Sequence, residues 1–97
     1  MTTPPPPDVT AVVFNGDLDF SNYADTLARL RAAVESGRDV EVDLADVRFV
    51  DSAAVSAILH ARRLAIASGH RLFVSGMSEA VRRPLELMGL VDLIAGR

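Results

Sequence analysis

Residues 39–69 read DVEVDLADVRFVDSAAVSAILHARRLAIASG, and the hydrophobic period changes once within them, at Ser52. Up to Ala45 the chain alternates, with Val40, Val42 and Leu44 on one side and Glu41 and Asp43 on the other. That period of two predicts a half-buried strand over Asp39–Ala45, on a sheet with one wet face. Asp46 reads as a turn, and Val47, Arg48, Phe49 and Val50 form a short apolar stretch leading to Asp51-Ser52. From Ser52 onward Val55, Ile58, Leu59, Arg62 and Ile66 follow helical spacing, with Ala54, Ala61 and Ala65 filling close contacts, until Ser68-Gly69. A strand that hands over to a long helix is the unit of an α/β layer fold.

Outward from this unit the same alternation recurs. Before it, Thr10–Asn15 is a β-prone run, Gly16–Phe20 reads as a loop, and a helix is predicted over 22–36. Tyr23, Leu27, Leu30 and Val34 line its inner face, Ser21 or Asn22 can cap it, and Gly37 stops it. After it come a strand over Arg71–Ser75, a helix opened by Ser78 and running through Val81, Leu85 and Met88 to Gly89, and a strand-like Leu90–Ile94. Pro84 interrupts that last helix, so a kink or a later start is expected. The order strand, helix, strand, helix, strand, helix, strand, at these spacings, suits right-handed crossovers. The sequence thus predicts a mixed, largely parallel β-sheet with helices mainly covering one face. Residues 1–8, with Pro4–Pro7 consecutive, read as a disordered leader, and residues 9–97 as a single domain.

Composition limits the chemistry. A chain of 97 residues with 49 % apolar and 24 % charged residues suits one modest soluble core. It has no cysteine, which removes disulfides, thiolate nucleophiles and Cys-based metal sites. All ten basic residues are arginine, so a P-loop lysine or a Schiff base is impossible. The net charge of −3 argues against nucleic acid as the main partner. No segment has the length or composition of a membrane span or secretory signal, so a cytoplasmic location is expected. Phosphate-loop, nucleophile-elbow and zinc-protease patterns are absent.

Few constellations remain. Ser52 lacks a base: His60 lies eight residues along the same helix, about 12 Å away at 1.5 Å per residue, and His70 reads as a turn residue. Asp17, Asp19 and Asp51 fall in segments at the carboxyl ends of parallel strands, which meet at one rim. Three acids there could bind Mg²⁺ and serve a small hydrolase, or they could be turn formers and solvated charges. Ser52, at a strand-to-helix junction, is either a plain N-cap or a hydroxyl that accepts a phosphoryl group. The residue chemistry leaves both readings open.

Three short motifs, in order, carry a resemblance. Asn15-Gly16-Asp17-Leu18-Asp19 is similar to a G-E-L-D turn, Val42-Asp43-Leu44 with Val50-Asp51-Ser52 is similar to a D-L…D-S segment, and Val81-Arg82-Arg83…Leu85…Gly89-Leu90 is similar to a final helical region. From about Val12 to Ile94 the chain resembles the STAS domain family, and within it the bacterial anti-sigma factor antagonists. The resemblance implies a non-enzymatic switch with no cofactor of its own. Unphosphorylated, such a protein binds an anti-sigma factor with a Bergerat-type serine kinase fold and frees a sigma factor for transcription. The kinase phosphorylates the serine that matches Ser52, and a metal-dependent serine phosphatase restores binding. By the same resemblance Asp17, Asp19, Asp51 and Ser52 shape the partner-binding surface, with Val55 and Ser56 touching the partner from the first turns. Single domains of this family also serve as scaffold subunits of stress-signalling or lipid-transport complexes.

The chain differs from the pattern in three places. Ala53 and Ala54 follow the serine where many relatives carry a small hydroxyl residue and glycine, the proline leader leaves little room for an additional first strand, and Pro84 interrupts the last helix. Residues 1–52 hold ten acids against four arginines, and residues 53–97 three acids against six arginines. The acidic half contains the rim, which suits a basic patch on a partner as well as it suits plain solvation.

Overall fold

The computed structural model describes residues 8–95. Apart from Asp8, the leader expected over residues 1–8 lies outside them. Three strands form the sheet: β1 (Val9–Leu18), β2 (Asp39–Val50) and β3 (Leu72–Met77), in the order β1-β2-β3 and parallel throughout. The helices α1 (Tyr23–Val34) and α2 (Ser52–Ala67) are the crossovers, and α3 (Glu79–Leu87) and α4 (Val91–Ala95) complete the chain.

The alternation that predicts β2 also fixes the layers. Val40, Val42 and Leu44 are fully buried, level with Leu72 and Val74 of β3 and with Val12 of β1. Leu30 and Val34 of α1, four alanines of α2, and Val81 and Leu85 of α3 close over them in one core. Each large aliphatic side chain buried this way contributes about 1.5–3 kcal/mol. Val13, Glu41 and Asp43 point to the opposite face and keep solvent contact, whereas Phe73, level with Glu41, is buried outside that core.

On α2 the smallest residues are the contact surface. Ala54, Ala57, Ala61 and Ala65 are buried with Val55 and Ile58, while Ile66, which shares their helical period, is 53 % exposed. A stripe of alanines lets α2 approach the sheet and α1 closely; the longer Ile66 falls outside that contact.

Three expectations are corrected. The segments read as a loop at Gly16–Phe20 and a turn at Asp46 belong largely to strands, because they lie opposite one another: Asn15 pairs with Asp46, Gly16 with Val47, Asp17 with Phe49 and Leu18 with Val50. Register shifts on either side absorb the turn-forming residues, and Gly16 adopts a positive φ of 74°. Leu90–Ile94 is not a fourth strand. Gly89 (φ 71°) ends α3, the Leu90 N–H bonds back to the Leu85 carbonyl, and the Ile94 N–H returns to Leu90, which starts α4. Pro84 does not delay α3, which begins at Glu79 with Ser78 as its N-cap and continues through the proline.

Candidate functional site

β2 ends at Val50, and the next residue fastens three segments together. The Asp51 N–H donates to the Leu18 carbonyl at 3.2 Å, adding one rung beyond the paired strands. Its backbone is extended (φ −108°), as an N-cap requires, and its carboxylate divides between two donors. Oδ1 accepts from the Ala54 N–H at 3.0 Å in the first turn of α2. Oδ2 accepts from the Phe20 N–H at 2.9 Å, 31 residues away in sequence. The Ala54 N–H above all holds the Asp51 carboxyl below the ordinary carboxylate range; desolvation opposes it, and the Phe20 N–H adds to the lowering.

The facing loop is braced by its own side chains. Residues Phe20–Asn22 form a single 3-10 turn capped by Asp19, whose carboxylate accepts from both the backbone N–H and the hydroxyl of Ser21. Asn22, expected as a possible cap for α1, turns its side chain backward instead. Its Oδ1 accepts from the Asp19 N–H at 3.0 Å and its Nδ2 donates to the Asp17 carbonyl at 2.8 Å. Asp17 faces Arg48 at 3.8 Å with both side chains largely solvated, a contact of little energetic weight.

Ser52 is the first helical residue of α2, one place beyond the cap. With Asp51 as the cap, the plain N-cap role considered for Ser52 is filled by its neighbour. The Ser52 side chain is exposed, and among the described residues it has no hydrogen-bond partner. Ser56, one turn on, is also exposed. Val55 is not: it is 6 % exposed and belongs to the core, so its expected contact with a partner is corrected. Position 55 points inward because Val55 and Ile58 share the face that α2 turns to the sheet.

The rim therefore gathers Asp17, Asp19, Asp51 and Ser52, with Asp17 and Asp19 joined to Asp51 through the Leu18–Phe20 backbone. Each acid is engaged separately, and among the described residues no group of three or more His, Cys, Asp or Glu side chains is disposed to hold a metal ion. His70 lies past the far end of α2 and faces Asp39 at 3.7 Å. A 16-residue helix, about 24 Å long, separates it from Ser52. None of the described helices is long and apolar enough to cross a membrane.

Two aromatic residues on this rim are missed by sequence reasoning. Phe20 is 81 % exposed and Phe49 is 51 % exposed. The available signal was Phe20 itself, a large apolar residue in a stretch that fits no hydrophobic period.

Comparison with known proteins gives a consistent picture. The family profile described as "Mlab, STAS domain" matches residues 1–95. No curated protein matches the sequence significantly. Among solved structures, the fold is similar to a proposed anti-sigma factor antagonist from Thermotoga maritima, at 21 % identity and a TM-score of 0.76 over 92 % of this chain and 78 % of that one. It is also similar to the anti-sigma factor antagonist SpoIIAA in its unphosphorylated form, at 21 % identity and a TM-score of 0.59 over 76 % of this chain and 66 % of that one. A third likeness, to Mglu, has 24 % identity and a TM-score of 0.59, and takes in 78 % of this chain but 18 % of that one.

Proposed function

The chain belongs to the STAS domain family, and from that premise we propose that it is a phosphorylation-controlled binding module that antagonises an anti-sigma factor. In its unmodified state it docks through the Asp17–Asp19–Asp51–Ser52 rim on an anti-sigma factor of the Bergerat-type serine kinase fold, and a sigma factor is released. The single observation that carries this reading is Ser52: an exposed hydroxyl, unengaged among the described residues, one position past a fixed cap on an acidic rim.

The chemistry of switching asks little of this chain. The Ser52 Oγ forms a bond to the γ-phosphorus of ATP, the bond from that phosphorus to the β–γ bridging oxygen breaks, and ADP leaves. The hydroxyl proton passes to a base on the kinase, since His60 and His70 are both out of reach. The product adds a charge of about −1.5 to −2 beside Asp51, which opposes a partner selected for the unmodified rim. A metal-dependent serine phosphatase reverses the step by hydrolysis.

Intact mass after incubation with the Bergerat-type anti-sigma kinase of the same genome, ATP and Mg²⁺ tests the reading. Wild type gains about 80 Da, one phosphoryl group, and Ser52→Ala gains nothing. An unchanged wild-type mass, with the kinase active on another substrate, rejects it.

A second reading is a non-catalytic scaffold subunit of a larger assembly. It is favoured by Leu87, Met88 and Leu93, which are 81 %, 49 % and 43 % exposed on and just after α3 and on α4. Capture of a stable complex that survives Leu87→Glu would count against it.

A further inference from the structure

Phe20 is the most exposed aromatic side chain among the described residues, yet its backbone N–H is tied to Asp51 across the rim. Its N–H lies 2.9 Å from Asp51 Oδ2, its turn is capped by Asp19, and Asn22 ties that turn back to Asp17. A large apolar side chain left in water on a braced turn loses little conformational freedom on binding, which is the property of an interface anchor. Around it stand Asp17, Asp19 and Asp51, with the largely solvated Arg48 3.8 Å from Asp17. The complementary surface is an apolar pocket bordered by arginine or lysine side chains.

We infer that Phe20 is the apolar anchor that this chain inserts into its anti-sigma partner, and that the Asp51 carboxylate positions it, so that a phosphoryl group on Ser52 acts through Asp51. This rests on the function proposed above and names the part of the rim that the switch moves. The argument is a competition for donors. Asp51 uses one carboxylate oxygen on the Ala54 N–H at the start of α2 and the other on Phe20. A phosphoryl group on the adjacent residue seeks the same helix N–H groups and repels the carboxylate. When Asp51 leaves Ala54, the geometry that also reaches Phe20 is lost, and the 3-10 turn keeps only its internal braces. The switch then works by releasing the anchor as well as by adding charge.

The test uses the full chain with phosphoserine incorporated at position 52 during translation, so that no kinase is needed. Amide hydrogen exchange followed by NMR should show the Phe20 N–H exchanging roughly tenfold faster or more in the phosphorylated chain, with Val42 in the core strand unchanged. A Phe20 amide with the same exchange rate and chemical shift in both chains overturns the relay. The second arm titrates the same-genome anti-sigma kinase with unmodified wild type, Phe20→Ala and Phe20→Leu. Phe20→Ala should weaken binding by roughly thirtyfold and Phe20→Leu by less. Equal binding by wild type and Phe20→Ala overturns the anchor alone, whereas absence of binding by unmodified wild type overturns the anchor and the proposed function together. Because Phe20 is 81 % exposed, its removal leaves the core intact, and an unchanged α2 amide spectrum in Phe20→Ala checks this.

Discussion

β2 carries an aspartate at each end, and the two make the same connection with different chemistry. Asp39, its first residue, accepts the Arg71 N–H at 2.9 Å across 32 residues of sequence; Asp51, just past its last residue, accepts the Phe20 N–H at 2.9 Å across 31. Each pins a neighbouring segment to the central strand. At the Asp39 end the Arg71 guanidinium and the His70 imidazole stand by, with His70 Nδ1 and Arg71 Nε both 3.7 Å from the carboxylate. At the Asp51 end, among the described residues, only N–H donors serve, and the exposed Ser52 follows directly. One end is closed by basic side chains and fixes the sheet. The other keeps its negative charge facing outward, with two exposed aromatic residues beside it, and that is the form of a docking surface.

The largest effect should come from the support both ends share. Leu44 is fully buried midway along β2, and Leu44→Ala should lower unfolding free energy by about 2–5 kcal/mol in denaturant titration. Amides at both ends of β2 should then exchange faster together. Faster exchange confined to the Ser52 end would mean that the two ends are not mechanically joined, and the comparison would fail.

A smaller effect separates the ends. Asp39→Ala removes a hydrogen bond to Arg71, the residue before β3, and should cost about 1 kcal/mol, with partner binding and the rate of Ser52 phosphorylation unchanged. Asp51→Ala should also destabilise the fold, through loss of the α2 cap, but should weaken partner binding as well. Comparable binding losses in both variants would make the Asp51 end merely another structural clamp.

How far the sequence revealed this asymmetry depended on whether the deciding interaction was local. The start of α2 was legible because the hydrophobic period changes at Ser52, and Asp51-Ser52 could be placed at a strand-to-helix junction from that alone. The layer order and the inward face of β2 followed from Val40, Val42 and Leu44. Gly16–Leu18 and Asp46 were misread because each carries turn residues, and only their pairing across the sheet makes them strand. Leu90–Ile94 failed for another reason: a short, mostly apolar run fits a buried strand or a short helix equally, and the Leu85 and Leu90 carbonyls decide between them. Val55 was read both on the apolar helical stripe and as a partner contact from the first turns, and the face that packs on the sheet takes it inward. Phe20 could be seen to fit no period, but its exposure depends on how Asp51 and Asn22 hold the turn, which no local pattern contains.

The finest distinction between the ends is a dependence on pH. Asp51 titrates below the ordinary carboxylate value because the folded chain offers its anion the Ala54 and Phe20 N–H groups, which the unfolded chain does not. A depressed folded pKa means that the unfolded chain binds its proton first as acid is added. The stabilisation is therefore complete above about pH 4 and fades as pH falls through the lowered value. Asp51→Asn has no such titration, so the stability gap between wild type and variant should be constant near neutrality and narrow below pH 4 in denaturant titrations at stepped pH. Over the same range the Phe20 amide of wild type should begin to exchange faster, as the protonated carboxyl becomes a poorer acceptor. A gap that stayed constant down to pH 2 would mean that the Asp51 hydrogen bonds do not favour the anion, and the outward-facing charge would no longer distinguish this end of β2 from the other.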